Sequence, residues 1–120
     1  MKRRILILSA PATLALILFY ACGSSQSAST IDPNAVVTAT YSSISSHILQ
    51  NGCVGCHGGS GGYSFDSYSN TMKAVAAGSP SSSLLYRSIS SGSMPQSGTH
   101  PSSAQIQVIS DWITAGAQNN

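Results

Sequence analysis

At 120 residues the chain is long enough for one domain and too short for two. Its formal charge of +2 is concentrated at the start, where Lys2, Arg3 and Arg4 precede an apolar run over residues 5–20. Beyond that run Lys73 and Arg87 stand against Asp32, Asp66 and Asp111, two cations against three anions, for a net charge of −1. A body so nearly uncharged excludes the basic footprint of a nucleic-acid binder, and it argues against a charged disordered tail. Three Asp and no Glu leave a hydrolase built on paired carboxylates little to draw on.

The first 21 residues form a secretory signal: a basic start, an apolar stretch interrupted by Pro11, and small residues around Cys22. Leu18-Phe19-Tyr20-Ala21-Cys22 resembles a bacterial lipoprotein box, although Phe19 stands where Leu is usual three residues before the cysteine. The resemblance implies lipidation of Cys22 and an exported domain tethered to a bacterial membrane, in the periplasm or at the outer surface. An uncleaved anchor is the competing reading, and the apolar run sits at the short edge of a spanning helix. Residues 22–31 follow as a Gly/Ser/Ala linker without periodicity. Residues 32–120 are the expected folded domain.

Four short helices are expected there, making the class all-α. Asp32-Pro33 supplies a cap and first turn; Val37, Tyr41, Ile44 and Ile48 then recur at helical spacing until Gly52 gives a stop. A second start lies at Asp66 or Ser67, with Tyr68, Met72 and Val75 on one face and Gly78 and Pro80 at its end. The third helix covers about residues 82–90 and presents Leu85 and Ile89, with Gly92 beyond. The fourth opens on Ser102-Ser103-Ala104-Gln105, a capping box, and buries Ile106, Ile109, Trp112 and Ile113 before Gly116. No stretch alternates long enough for a strand. With loops crowded by Ser and Gly, such a core gains from something else to fold around.

Cys53-Val54-Gly55-Cys56-His57 has the spacing of a covalent haem attachment site. Two thiols three positions apart can add to the two vinyl groups on one porphyrin edge, and the next residue, His57, then reaches the iron. A random chain of this composition would carry such a motif only about 0.002 times. The cysteines are fully used, Cys22 by lipid and Cys53 and Cys56 by haem. Other readings of these residues remain: a redox dithiol, which would want a βαβ context; a zinc site using Cys53, Cys56, His47 and His100; or a Cys53–Cys56 disulfide. None gives His57 a role.

Residues 36–118 resemble the small monohaem c-type cytochrome domains, class I-like, that occur in lipoproteins of environmental bacteria. The resemblance rests on Cys53-Val54-Gly55-Cys56-His57-Gly58-Gly59 and on Gly62-Tyr63-Ser64-Phe65-Asp66-Ser67-Tyr68. It continues through Gly78-Ser79-Pro80, Ser83-Leu84-Leu85-Tyr86, Met94-Pro95 and Asp111-Trp112-Ile113-Thr114-Ala115-Gly116-Ala117. It implies one covalent haem c, axial ligation of its iron by His57 and Met94, and first and last helices packed across each other beside the haem.

Met94 also stands on chemistry. A thioether is a soft ligand that raises the potential of haem iron relative to two imidazoles, and Pro95 stiffens the chain directly after it. Met72, on a helical face, is expected to pack. His47 and His100 are the alternative sixth ligands. The loop 88–101, rich in Ser and Gly, is expected to hold Met94 loosely. Tyr63, Phe65, Tyr68, Leu85, Tyr86 and Trp112 form the expected apolar wall against the haem. Arg87 is the better of two cations for a propionate, Lys73 being the other. Gly58, Gly59, Gly61 and Gly62 would let the chain run close to a porphyrin.

The expected function is electron transfer to and from redox partner proteins, without enzymatic chemistry. The alternative is a haem-based sensor in which a small ligand displaces Met94.

Overall fold

The structure is a computed structural model that describes residues 30–58 and 62–120. The expected signal, the lipidation site Cys22, the linker up to residue 29, and Gly59 and Gly61 lie outside the described residues. Within them the fold is all-α, with four helical segments and no strand.

The first segment, α1, is one unbroken run in three pieces: α-helical Tyr41–Ile44, π-helical Ser45–Cys53 and α-helical Val54–His57. Two expectations about it are corrected. It does not begin at Asp32-Pro33. The Asp32 carboxylate accepts from the Asn34 amide at 2.9 Å and its carbonyl from Ala35 at 3.1 Å, closing a local turn that competes with helix. The N-cap is Thr40, whose hydroxyl accepts from the Ser43 amide. Nor does α1 stop at Gly52. That glycine lies inside the π-helical piece, where a Cβ would collide with the Ile31 side chain. Its lack of a side chain lets the entering segment press against the helix, and packing begins there, with Ile31 only 2% exposed. The wider π turn is supported by Asn51, whose side-chain amide reaches the carbonyls of Ser46 (3.1 Å) and His47 (3.3 Å).

The second segment, α2, is Tyr68–Thr71 continued by a 3₁₀ turn, Met72–Ala74, and capped by the Ser67 hydroxyl. A 3₁₀ turn at Pro80–Ser82 leads into α3, Leu84–Ser90. The Ser83 hydroxyl, fully buried, joins these elements by bonding both the amide and the carbonyl of Ala76 and the carbonyl of Ser79. Helix α4, Ser103–Thr114, starts on the complete capping box of Ser102 and Gln105.

Ile44, Ile48 and Leu49 of α1, Leu85 and Ile89 of α3, and Ile109, Trp112 and Ile113 of α4 form the core. Ile106 is only half-buried at its edge. The two ends of the domain are tied to this core. Gln105, buried, donates to the carbonyls of Asp32 (2.8 Å) and Ala35 (3.1 Å). Asn120 accepts from the first turn of α1, its side-chain oxygen from the Tyr41 amide at 3.0 Å and its carbonyl from Ser42 at 2.9 Å. Those amides have no partner within the helix, so the C-terminal segment satisfies what the helix start leaves open.

Candidate functional site

The last turn of α1 carries the sequence motif. Cys53 closes the π-helical piece and packs against the core, whereas Cys56 is exposed. Both thiols are free. Burial, and secondarily the neighbouring Cys56 thiol, pushes the Cys53 thiol up to about 11.

His57 is half-buried and is fixed from three sides by the segment that follows. Its Nδ1 lies 3.2 Å from the Tyr63 carbonyl oxygen. A carbonyl only accepts, so Nδ1 carries the proton and, in the neutral ring, Nε2 keeps its lone pair. The Phe65 amide donates to the His57 carbonyl at 3.0 Å, and the Phe65 ring meets the imidazole edge-on with centroids 5.5 Å apart. The chain thus turns back on its own helix end and orients one imidazole.

Met94 is half-buried in the loop after α3, where its main chain is hydrogen-bonded. Its amide donates to the Ser88 carbonyl at 3.1 Å, and the same oxygen accepts from the hydroxyls of Ser93 (3.0 Å) and Ser91 (3.2 Å). Two of the loop's serines, Ser91 and Ser93, thus bond to the last turn of α3. Gly92, with φ +73°, supplies the left-handed residue that brings the chain back. Leu84, Arg87, Ser88, Ser90, Ser91 and Ser93 line an open depression of about 480 Å³ beside this loop.

The other expected residues separate into groups. Tyr63 is exposed and Phe65 is buried against His57. Leu85 is buried in the core, while Tyr86 packs at its margin. Trp112 is 1% exposed, donates Nε1–H to the Gln118 carbonyl at 2.9 Å, and lies 6.0 Å from the Tyr41 ring. Tyr68 touches the same group, its ring 5.0 Å from Tyr41 and its hydroxyl donating to the Ala117 carbonyl at 2.8 Å. These three aromatics join the first and last helices to the C-terminal turn.

Arg87 is exposed at the depression. Lys73 is engaged elsewhere, donating to Asn70 at 2.8 Å, and the Asn70 amide in turn donates to Asp66. That bond is the main reason the Asp66 carboxyl sits below its ordinary range. His47 is half-buried within the π-helical piece, and His100 is exposed ahead of the buried Pro101. Among the described residues no three His, Cys, Asp or Glu side chains gather as a metal-ion site, so the zinc reading of Cys53, Cys56, His47 and His100 finds no cluster.

The donor set fits covalent haem. Two unpaired thiols stand at adjacent motif positions on one helix end, and the imidazole beside them presents Nε2 because Nδ1 is held by a carbonyl. Sequence reading found the side chains and missed two main-chain partners, the carbonyls of Tyr63 and Ser88, since no residue type marks a carbonyl.

The family model described as Planctomycete cytochrome C (PSCyt1) matches residues 53–98. This supports a cytochrome c-type domain. The matched stretch opens on Cys53 and includes Met94. No curated protein and no solved structure matches the chain.

Proposed function

We propose that the chain is a monohaem c-type cytochrome that carries single electrons between redox partners, tethered to a bacterial membrane through lipid on Cys22. Cys53 and Cys56 would hold one haem through thioether bonds, and His57 Nε2 and Met94 Sδ would be its axial ligands. Bound haem supplies the ferric/ferrous couple. The polypeptide does the rest. The Tyr63 carbonyl keeps the proton on Nδ1 and raises the basicity of the other nitrogen. Phe65 meets the imidazole edge-on and fixes the ring plane. Arg87, exposed at the depression beside the Met94 loop, is the cation available to a propionate. No substrate bond is made or broken in this role, so the proposal is a carrier and not an enzyme.

The observation that carries the reading is the Nδ1–carbonyl bond at the end of the Cys-x-x-Cys-His helix. The test is an absorption spectrum of the exported protein, oxidised and dithionite-reduced, with a pyridine haemochrome. Sharp reduced c-type bands and a weak far-red sulfur–iron band when oxidised are expected. A colourless mature protein would overturn the reading. The tether is tested separately, by incorporation of labelled palmitate that disappears in Cys22→Ser.

A further inference from the structure

The Ser88 carbonyl lies in the last turn of helix α3, where the last four carbonyls have no amide donor within the helix and need outside ones. It receives three at once: the Met94 amide, the Ser93 hydroxyl and the Ser91 hydroxyl, at 3.1, 3.0 and 3.2 Å. The Ser91 hydroxyl also donates to that of Ser93 at 3.1 Å, sharing its one proton between the Ser93 oxygen and the Ser88 carbonyl. The Met94 amide alone would meet that carbonyl's need. Gly92 closes on Ile89 and Ser91 on Arg87 through main-chain bonds, which already terminate the helix. The surplus donors come from the residues immediately before Met94.

We infer that Ser91 and Ser93 are positioning residues for Met94: their hydroxyls pin the loop to the Ser88 carbonyl and hold the thioether in the ligating position. The inference rests on the reading of Met94 as an axial ligand. A thioether bond to haem iron is soft, and a loop of Ser and Gly gains conformational entropy when it is released. The two hydroxyls shift that balance towards the closed loop. Ser90 gives an internal contrast, because its hydroxyl donates to the Arg87 carbonyl at 3.3 Å instead of to that of Ser88.

The test uses the exported, haem-loaded full chain and compares wild type with Ser91→Ala/Ser93→Ala, Ser91→Thr/Ser93→Thr, Ser90→Ala and Met94→Ala. The readouts are the far-red sulfur–iron band during heating, far-UV circular dichroism on the same samples, and CO binding to the reduced protein. Each hydroxyl lost is expected to raise the open-loop population about fivefold. The double alanine variant should therefore lose the far-red band well below its helical melting temperature and bind CO at least tenfold faster than wild type. The threonine pair, which keeps both hydroxyls, and Ser90→Ala should behave like wild type. If the double alanine variant loses band and helix together, with unchanged CO binding, the positioning role is overturned while Met94 ligation stands. If wild type lacks the band, or Met94→Ala retains it, the ligand reading falls and takes the inference with it. A double alanine variant that does not mature is replaced by Ser93→Ala alone, for which half of the effect in logarithmic terms is expected and an unchanged band and CO rate overturn the role.

Discussion

The Nδ1 atom of His57 and the carbonyl oxygen of Tyr63 stand 3.2 Å apart, six residues from each other in sequence, with Phe65 closing the same turn through its amide and its ring. Three contacts therefore set the tautomer and the plane of one imidazole. Phe65 is the side chain on which that arrangement depends, being 7% exposed and in contact with both ring and core. Phe65→Ala is expected to cost about 3–5 kcal/mol of stability. It should also let the His57 Nδ1 proton exchange faster with solvent, as read by nitrogen NMR of the imidazole. Phe65→Leu should recover most of the stability and little of the proton protection, because a leucine fills volume without an aromatic edge. Wild-type protection retained in both variants would show that the main-chain bonds suffice alone.

Gly52 and Ile31 form a second matched pair. A methyl group at position 52 would occupy the space of the Ile31 side chain, which is 2% exposed. Gly52→Ala gains helix propensity of about 1 kcal/mol, yet overpacking of a filled site costs about 1–3 kcal/mol. The net expectation is a destabilised protein in urea unfolding. Ile31→Ala in the Gly52→Ala background should then cost less than Ile31→Ala alone, a coupling that a double-mutant cycle measures directly.

These pairs show where sequence reading reaches and where it ends. The apolar periodicity of Ile44 and Ile48, of Leu85 and Ile89, and of Ile109 and Ile113 marks the core residues, because helical burial follows spacing. The Ser102–Gln105 capping box is legible for the same reason: both partners are local. Asp32-Pro33 misled because a carboxylate that caps a helix also closes a two-residue turn, and the choice depends on Gln105, 73 residues away from Asp32. Gly52 misled because a glycine that stops a helix and one that admits a neighbouring side chain look identical in sequence. The Cys53-x-x-Cys56-His57 motif is legible from spacing alone, whereas the partners of His57 Nδ1 and of the Met94 amide are carbonyls that no residue type marks.

Gln105 is the clearest long-range dependency. Buried at 2% exposure, it satisfies two carbonyls of the entering segment while its Oε1 accepts from the Ser102 amide at 3.0 Å. Gln105→Leu keeps the volume and strands those groups, for an expected loss of about 1–3 kcal/mol. The damage should be local as well as global. Amides of residues 31–37 should lose hydrogen-exchange protection by more than those of α3, and limited proteolysis should begin in that segment.

Alkaline pH should unfold the haem-free protein through Cys53. Its folded-state thiol is raised by burial from the ordinary 9.0 to about 11. The native state therefore holds a proton that the unfolded chain releases, and stability falls as pH rises between those values. The contribution is complete below the unfolded value and gone once pH has passed through the folded one. Cys53→Ala should flatten the decline in a urea series across this range. At pH 8 iodoacetamide should label the exposed Cys56 well before Cys53, by peptide mass spectrometry; the reverse order would contradict the burial of Cys53.

Charge decides how the proposed carrier would meet its partners. Beyond the N-terminal cations the chain carries Lys73, Arg87, Asp32, Asp66 and Asp111 and nothing else charged but histidine. Lys73 and Asp66 are joined through Asn70, which leaves their opposite charges adjacent and their field short-ranged. Steering by a strong patch is thus absent from the described surface. Docking would rest on uncharged groups such as the exposed Tyr63, whose carbonyl meets His57, and the exposed Cys56 turn. Stopped-flow electron transfer with the physiological partner is expected to change by less than about threefold between low and high salt, where an electrostatically steered pair changes by orders of magnitude. Tyr63→Ser should slow the reaction without changing that salt response, because it removes contact area and no charge. A steep salt dependence would instead place the recognition charge on Arg87, and Arg87→Gln should then abolish it.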